Sequence, residues 1–73
     1  MSKAAKRQEA FKAINREVQS ITGGAANLMD LGDTPELMNN LDAMEGMSRK
    51  EWPEFVEDAA NDVLMEAGFP FEV

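Results

Sequence analysis

The stretch WPEFVEDAANDVLMEAG, residues 52–68, carries the clearest structural pattern in the chain. On a helix that turns about 100° per residue, its apolar side chains fall on one arc and its acidic side chains on the opposite arc. Gly68 suits the left-handed cap that follows a helix, and Pro70 prevents continuation. The stretch therefore predicts an amphipathic helix over residues 53–67. Its predicted buried arc contains Trp52, Val56, Ala59, Ala60, Val63 and Ala67.

Two interpretations are open for the start of this helix. Ser48 and Glu51 have the spacing of a capping box, which would start the helix before Pro53. In that case Pro53 removes one helical hydrogen bond and distorts the first turn. The alternative places Pro53 at the first helical position, after a short turn. The sequence favours a distorted first turn and leaves both boundaries open.

The first part of the chain predicts another helix. Apolar residues spaced three and four apart form one stripe, and Gly23 and Gly24 follow where a helix would end. Toward the N-terminus this stripe stops near Ala10. The stripe consists of Phe11, Ile14, Val18 and Ile21.

The middle of the chain contains a clear helix start. Thr34 is a good N-cap residue, and Pro35 suits the first helical position. The stretch before it is compatible with a short helix or a turn, with Leu28, Met29 and Leu31 directed inward. The predicted fold class is all-α: a small bundle of three main helices, at about 9–22, 35–45 and 53–67, with a short helix or turn near 25–31.

Positive charge is concentrated at one end of an acidic chain. The net charge is −7, yet five of the seven basic residues precede residue 17. They are Lys3, Lys6, Arg7, Lys12 and Arg16. Basic residues at a helix N-terminus oppose the helix dipole, and no apolar side chain anchors the first turns. We therefore expect one domain over residues 1–73, in which residues 1–8 form a flexible basic arm.

The composition argues against several classes of function. The chain has no cysteine, histidine or tyrosine, so disulfides, common zinc sites and the usual nucleophile–base pairs are missing. Seventy-three residues also leave little volume for a walled active site. No apolar run reaches the roughly 18–20 residues of a membrane span. We expect a non-enzymatic protein of the cytoplasm, without cofactor, metal or membrane contact.

Two charged surfaces and one aromatic side chain are candidates for binding another protein. The first surface is the basic set above, and the second is the acidic face of the last helix. Phe71 in the apolar tail FPFEV is the third candidate, since aromatic residues often anchor interfaces. The plainer interpretation is that the charges are solvated, or that Lys12 and Arg16 pair with acidic helices. The acidic candidates are Glu54, Glu57 and Asp58.

The charge balance favours a protein partner over nucleic acid. From residue 17 onward the chain has thirteen acidic residues against only Arg49 and Lys50. Such a body repels phosphate backbones, so direct nucleic-acid contact is not expected. The acidic helix leaves an alternative open, in which it imitates DNA phosphates and inhibits a DNA-binding enzyme.

The whole chain, from MSKAAKRQEAFKAINREV to MEAGFPFEV, resembles the short early proteins that bacteriophages make to seize host machinery. More narrowly, it is similar to the small transcription inhibitors and antiterminators with which Xanthomonas phage act on bacterial RNA polymerase. The resemblance implies a regulator that hinders promoter initiation and lets elongation pass terminators in the host cytoplasm. We expect a monomer when free. A small phage assembly chaperone is the remaining alternative.

Overall fold

The computed structural model describes residues 3–68, apart from the Lys3 side chain. It contains α1 (Lys3–Thr22), α2 (Leu28–Leu31), α3 (Pro35–Glu45) and α4 (Trp52–Glu66), with a 3₁₀ turn at Arg49–Glu51. The described residues form no β-strand. The prediction of a small all-α bundle with three main helices is therefore confirmed.

The three long helices all pack against one another. Near the start of α1, Arg7 lies 2.9 Å from Glu45, the last residue of α3, so these two helices run antiparallel. At the other end, a Glu66 carboxylate oxygen accepts a hydrogen bond from the Glu36 backbone N–H at 3.1 Å. The end of α4 thus meets the start of α3, and α4 runs alongside α1.

The core is built from the apolar stripes of the three long helices. Each of these helices contributes two of the largest fully buried side chains: Ile14 and Val18, Leu37 and Met44, and Val63 and Leu64. Burying one such side chain is worth about 1.5–3 kcal/mol, against about 0–1 kcal/mol for an exposed ion pair. Apolar burial therefore supplies most of the stability of this bundle.

Two details of the predicted core are wrong. Met29 is 78% exposed because α2 has a single turn, and only Leu28 in that turn is buried. Ala67 is exposed because α4 ends at Glu66, which leaves Ala67 at the cap position. Leu64 fills the last core position of α4 instead.

Side-chain caps fix where the later helices begin. The Thr34 hydroxyl accepts a hydrogen bond from the Leu37 backbone N–H at 3.2 Å, as its predicted role requires. The Ser48 backbone N–H donates to Glu51 at 3.1 Å, so the capping box is present. This box encloses the 3₁₀ turn, and Pro53 falls in the first turn of α4. The capping box and Pro53 were alternative helix starts in the sequence, and the structure contains both, one after the other.

The start of α1 differs from its predicted position. The helix begins at Lys3, six residues before the predicted start near residue 9. Ala10 is fully buried, so the apolar packing of α1 extends to the residue where the sequence pattern places the end of the stripe. None of residues 4–9 is buried, so polar contacts contribute to holding these turns in place. None of the described helices combines the length and hydropathy that crossing a bilayer requires.

Candidate protein-binding surfaces

Lys6 caps the end of α3. Its Nζ donates to the backbone carbonyl of Glu45 at 3.1 Å and to that of Met47 at 2.7 Å. The last carbonyls of a helix have no partner within the helix, and the helix dipole makes that end negative. The Lys6 ammonium group donates to a carbonyl at the end of α3 and places positive charge at the negative end of the helix dipole. Lys6 therefore stabilises the fold.

Arg7 joins α1 to α3 through its side chain. Its Nη1 atom donates to Asp42 at 2.7 Å and to Glu45 at 2.9 Å. Its Nη2 atom lies 3.3 Å from the Met38 sulfur. The hydrogen bond to Asp42, followed by that to Glu45, raises the pKa of Arg7 above its ordinary value. The guanidinium is charged at any physiological pH, as for arginine in general, and both of its acidic partners belong to the same molecule.

These contacts differ from the expected free arm over its described part. Residues 4–8 are helical, and Lys6 and Arg7 bind the end of α3. The sequence shows that apolar anchors are missing there, but it does not show that polar side chains replace them. Residues 1 and 2 and the Lys3 side chain lie outside what the structure describes.

Lys12 and Arg16 face solvent on the next turns of α1. Both are exposed, and neither forms an ion pair with any side chain in the described part of the molecule. Of the two plainer interpretations, the described residues show the solvated one for Lys12 and Arg16 and no pairing with the acidic helices. Of the basic candidates whose side chains are described, these two keep their charge available to a partner.

Arg49 and Trp52 lie next to these two residues, although neither was among the binding candidates predicted from the sequence. Arg49 donates from Nε and Nη2 to Glu9 at 3.0 and 2.8 Å, and its guanidinium carbon lies 5.6 Å from the Trp52 ring centroid. Trp52 Nε1 in turn donates to the Met44 carbonyl at 3.1 Å. Arg49 and Glu9 are forty positions apart, so no sequence spacing indicated this arrangement.

The acidic candidates lie on the outer side of α4. Glu54, Glu57 and Asp58 are all exposed, and none forms an ion pair or side-chain hydrogen bond with another described residue. Glu57 and Asp58 also line a groove of about 260 Å³ with Glu17 of α1. We call Glu54, Glu57 and Asp58 the acidic face. The prediction of their exposure agrees with the structure, while their binding role remains a prediction.

The last candidate, Phe71, lies outside the described residues. Over residues 3–68, no group of three or more carboxylates is arranged to hold a metal ion. The described surface carries separate acidic and basic patches. No protein-family model, curated protein or solved structure matches this chain.

Proposed function

We propose that this protein is a non-enzymatic regulator that docks through its acidic face on a basic surface of a larger protein. The observation that carries the proposal is the set of three exposed carboxylates without a partner in the described molecule. Glu9, Asp42 and Glu45, by contrast, each form an ion pair with a cation of the same molecule. The acidic face keeps its charge for an external surface.

The partner we propose is host bacterial RNA polymerase, on the basis of the sequence resemblance. A bound regulator stabilises whichever state of its partner it binds more tightly. Binding that disfavours the initiating polymerase and favours the elongating one would inhibit promoters and promote read-through of terminators. Such an effect requires no catalytic group on the regulator.

The acidic face is well suited to this kind of docking. Complementary charges speed the encounter of two proteins and set their orientation. The side chains sit on a helix whose opposite side is buried in the core, at Val56, Ala59 and Ala60. A rigid helix presents its charges with little ordering cost on binding.

The experiment is a binding measurement between the full-length protein and purified bacterial RNA polymerase. The test variant is Glu57→Gln with Asp58→Asn, and the matched control is Asp30→Asn with Asp33→Asn. Both control residues are exposed and without an ion pair in the described structure. Each variant removes two negative charges, so the two variants change the net charge equally. We expect about a fivefold loss of affinity in the test variant, as two exposed charge contacts of up to about 1 kcal/mol each allow.

The outcomes separate the partner from the surface. If the unmodified protein does not bind polymerase, the partner is wrong. If test and control variants lose affinity equally, the acidic face is wrong. Promoter-initiated transcription and terminator read-through, measured in vitro with the same variants, should change in parallel with affinity. Capture of a DNA-binding enzyme, reversed by added DNA, would instead support the DNA-mimic alternative.

A further inference from the structure

A second surface, of opposite charge, lies where the middle of α1 meets the start of α4. Two adjoining depressions of about 360 Å³ each share four residues, Ala13, Arg16, Arg49 and Trp52. Lys12 borders one of the two. We call this surface the basic groove. The small Ala13 side chain leaves space between two long cationic ones, and Trp52 forms part of the floor.

The cationic side chains of the basic groove are positioned to bind an anion. Lys12 and Arg16 are four residues apart on a helix, so they are neighbours and repel each other mildly. A bound carboxylate would relieve that repulsion. Arg49 is already fixed, because Glu9 holds its Nε and Nη2 atoms and the Trp52 ring lies beside it. Among the described contacts its Nη1 remains for another acceptor, so little ordering is needed on binding.

We propose that the basic groove binds an acidic peptide segment of a partner protein. Carboxylates match the donor geometry of guanidinium groups, and charge-assisted hydrogen bonds are stronger than neutral ones. The cations occupy a short stretch of surface, which suits two or three carboxylates on one segment.

The surroundings of the groove disfavour an extended nucleic acid. Glu9 and Glu17 flank the cations, so a long run of negative charge is disfavoured there, whatever its chemistry. Trp52 is only 8% exposed, so its ring offers no open face on which a base can stack. A short acidic peptide needs neither a long cationic surface nor an open aromatic ring.

This inference is independent of the acidic face and of the polymerase. It adds a second contact of opposite sign, so that one small bundle can hold two protein segments together. The peptide experiment therefore fails or succeeds separately from the polymerase experiment. The acidic-face variant Glu57→Gln with Asp58→Asn should bind the acidic peptide at least as well as the unmodified protein.

The sole tryptophan of the chain provides the measurement. Trp52 fluorescence is followed while the full-length protein is titrated at low salt with a blocked hexaglutamate peptide. Hexaglutamine and a hexathymidine oligonucleotide serve as comparison ligands. We expect a saturable change with hexaglutamate that weakens as salt rises, and little change with hexaglutamine.

Charge variants test whether the groove is responsible. Lys12→Gln and Arg16→Gln should each weaken hexaglutamate binding about threefold, as loss of one exposed charge contact allows. Lys50→Gln is the control, because Lys50 is exposed but lines neither depression. All three positions are exposed, and circular dichroism verifies that the variants fold.

Four results would overturn the proposal. They are the absence of a saturable change with hexaglutamate, an equal response to hexaglutamine, an equal loss in the Lys50→Gln control, and tighter binding of hexathymidine. The last result would assign the groove to single-stranded nucleic acid. Selective loss in Lys12→Gln and Arg16→Gln, with hexaglutamate preferred, supports it.

Discussion

Lys6 and Arg7 turn toward α3, whereas Lys12 and Arg16, about one and a half to three turns further along the same helix, face solvent. The first pair binds two backbone carbonyls and two carboxylates of its own molecule. The second pair has no ionic partner in the described structure and lies beside Arg49, another cation.

The difference between the two pairs comes from what packs opposite each of them. The end of α3 lies opposite the first pair, and the C-terminal end of a helix attracts positive charge. The start of α4 lies opposite the second pair and brings Arg49 and Trp52 with it. Basic residues of the same helix therefore stabilise the fold at Lys6 and Arg7, and remain available to a partner at Lys12 and Arg16.

The largest expected effect is a loss of apolar burial close to the second pair. Ile14 is fully buried, and Ile14→Ala should lower the free energy of unfolding by about 3 kcal/mol. The neighbouring exposed Lys12→Ala should change it by less than about 0.5 kcal/mol. Urea unfolding followed by circular dichroism measures both. A loss below about 1 kcal/mol for Ile14→Ala would contradict the packing described here.

Charge reversal compares the two basic pairs directly. Lys6→Glu with Arg7→Glu removes the contacts to α3 and places negative charge beside Asp42 and Glu45. This variant should lose about 2 kcal/mol of stability, since ion-pair, dipole and repulsion terms add. Its control, Lys12→Glu with Arg16→Glu, changes the net charge equally.

The control pair should lose less than about 0.5 kcal/mol, because exposed side chains without contacts contribute little. Thermal unfolding separates the two variants, since about 1 kcal/mol shifts the midpoint of a domain of this size by about 4–8 °C. Equal losses in both variants would remove the distinction between the pairs.

The smallest effect concerns the residue that positions Arg49. Glu9→Gln keeps the size of the side chain but removes the charge that holds Arg49 beside Trp52. We expect a loss of about 0.5 kcal/mol, together with a change in Trp52 fluorescence as the guanidinium moves. An unchanged emission spectrum would show that Glu9 does not position Arg49.

Apolar periodicity and caps predicted the fold of this chain well. The stripe containing Ile14 and Val18, the Thr34 cap and the arc containing Val56 and Val63 correspond to real helices and real burial. These signals are local, because they depend on residues three or four apart. The limits of α3 and α4, to within one residue, and the exposed acidic face followed from the same local signals, whereas the start of α1 did not.

The roles of the basic residues could not be predicted in this way. Whether Lys6 and Arg7 are free depends on residues 31 to 41 positions away, which only the packing of α1 on α3 brings close. The same holds for Arg49, which reaches Glu9 across the bundle. Long polar side chains can bind over such distances without any periodic pattern that reveals it.

Amide hydrogen exchange across α1 tests the central claim most directly. The first four N–H groups of a helix lack helical partners, so the informative amides are those of Arg7, Gln8 and Glu9. They should be protected in the unmodified protein and lose protection in Lys6→Gln with Arg7→Gln, while Ile14 and Val18 keep theirs. Unprotected exchange at residues 7–9 of the unmodified protein would mean that this segment is a free arm, and would contradict the account.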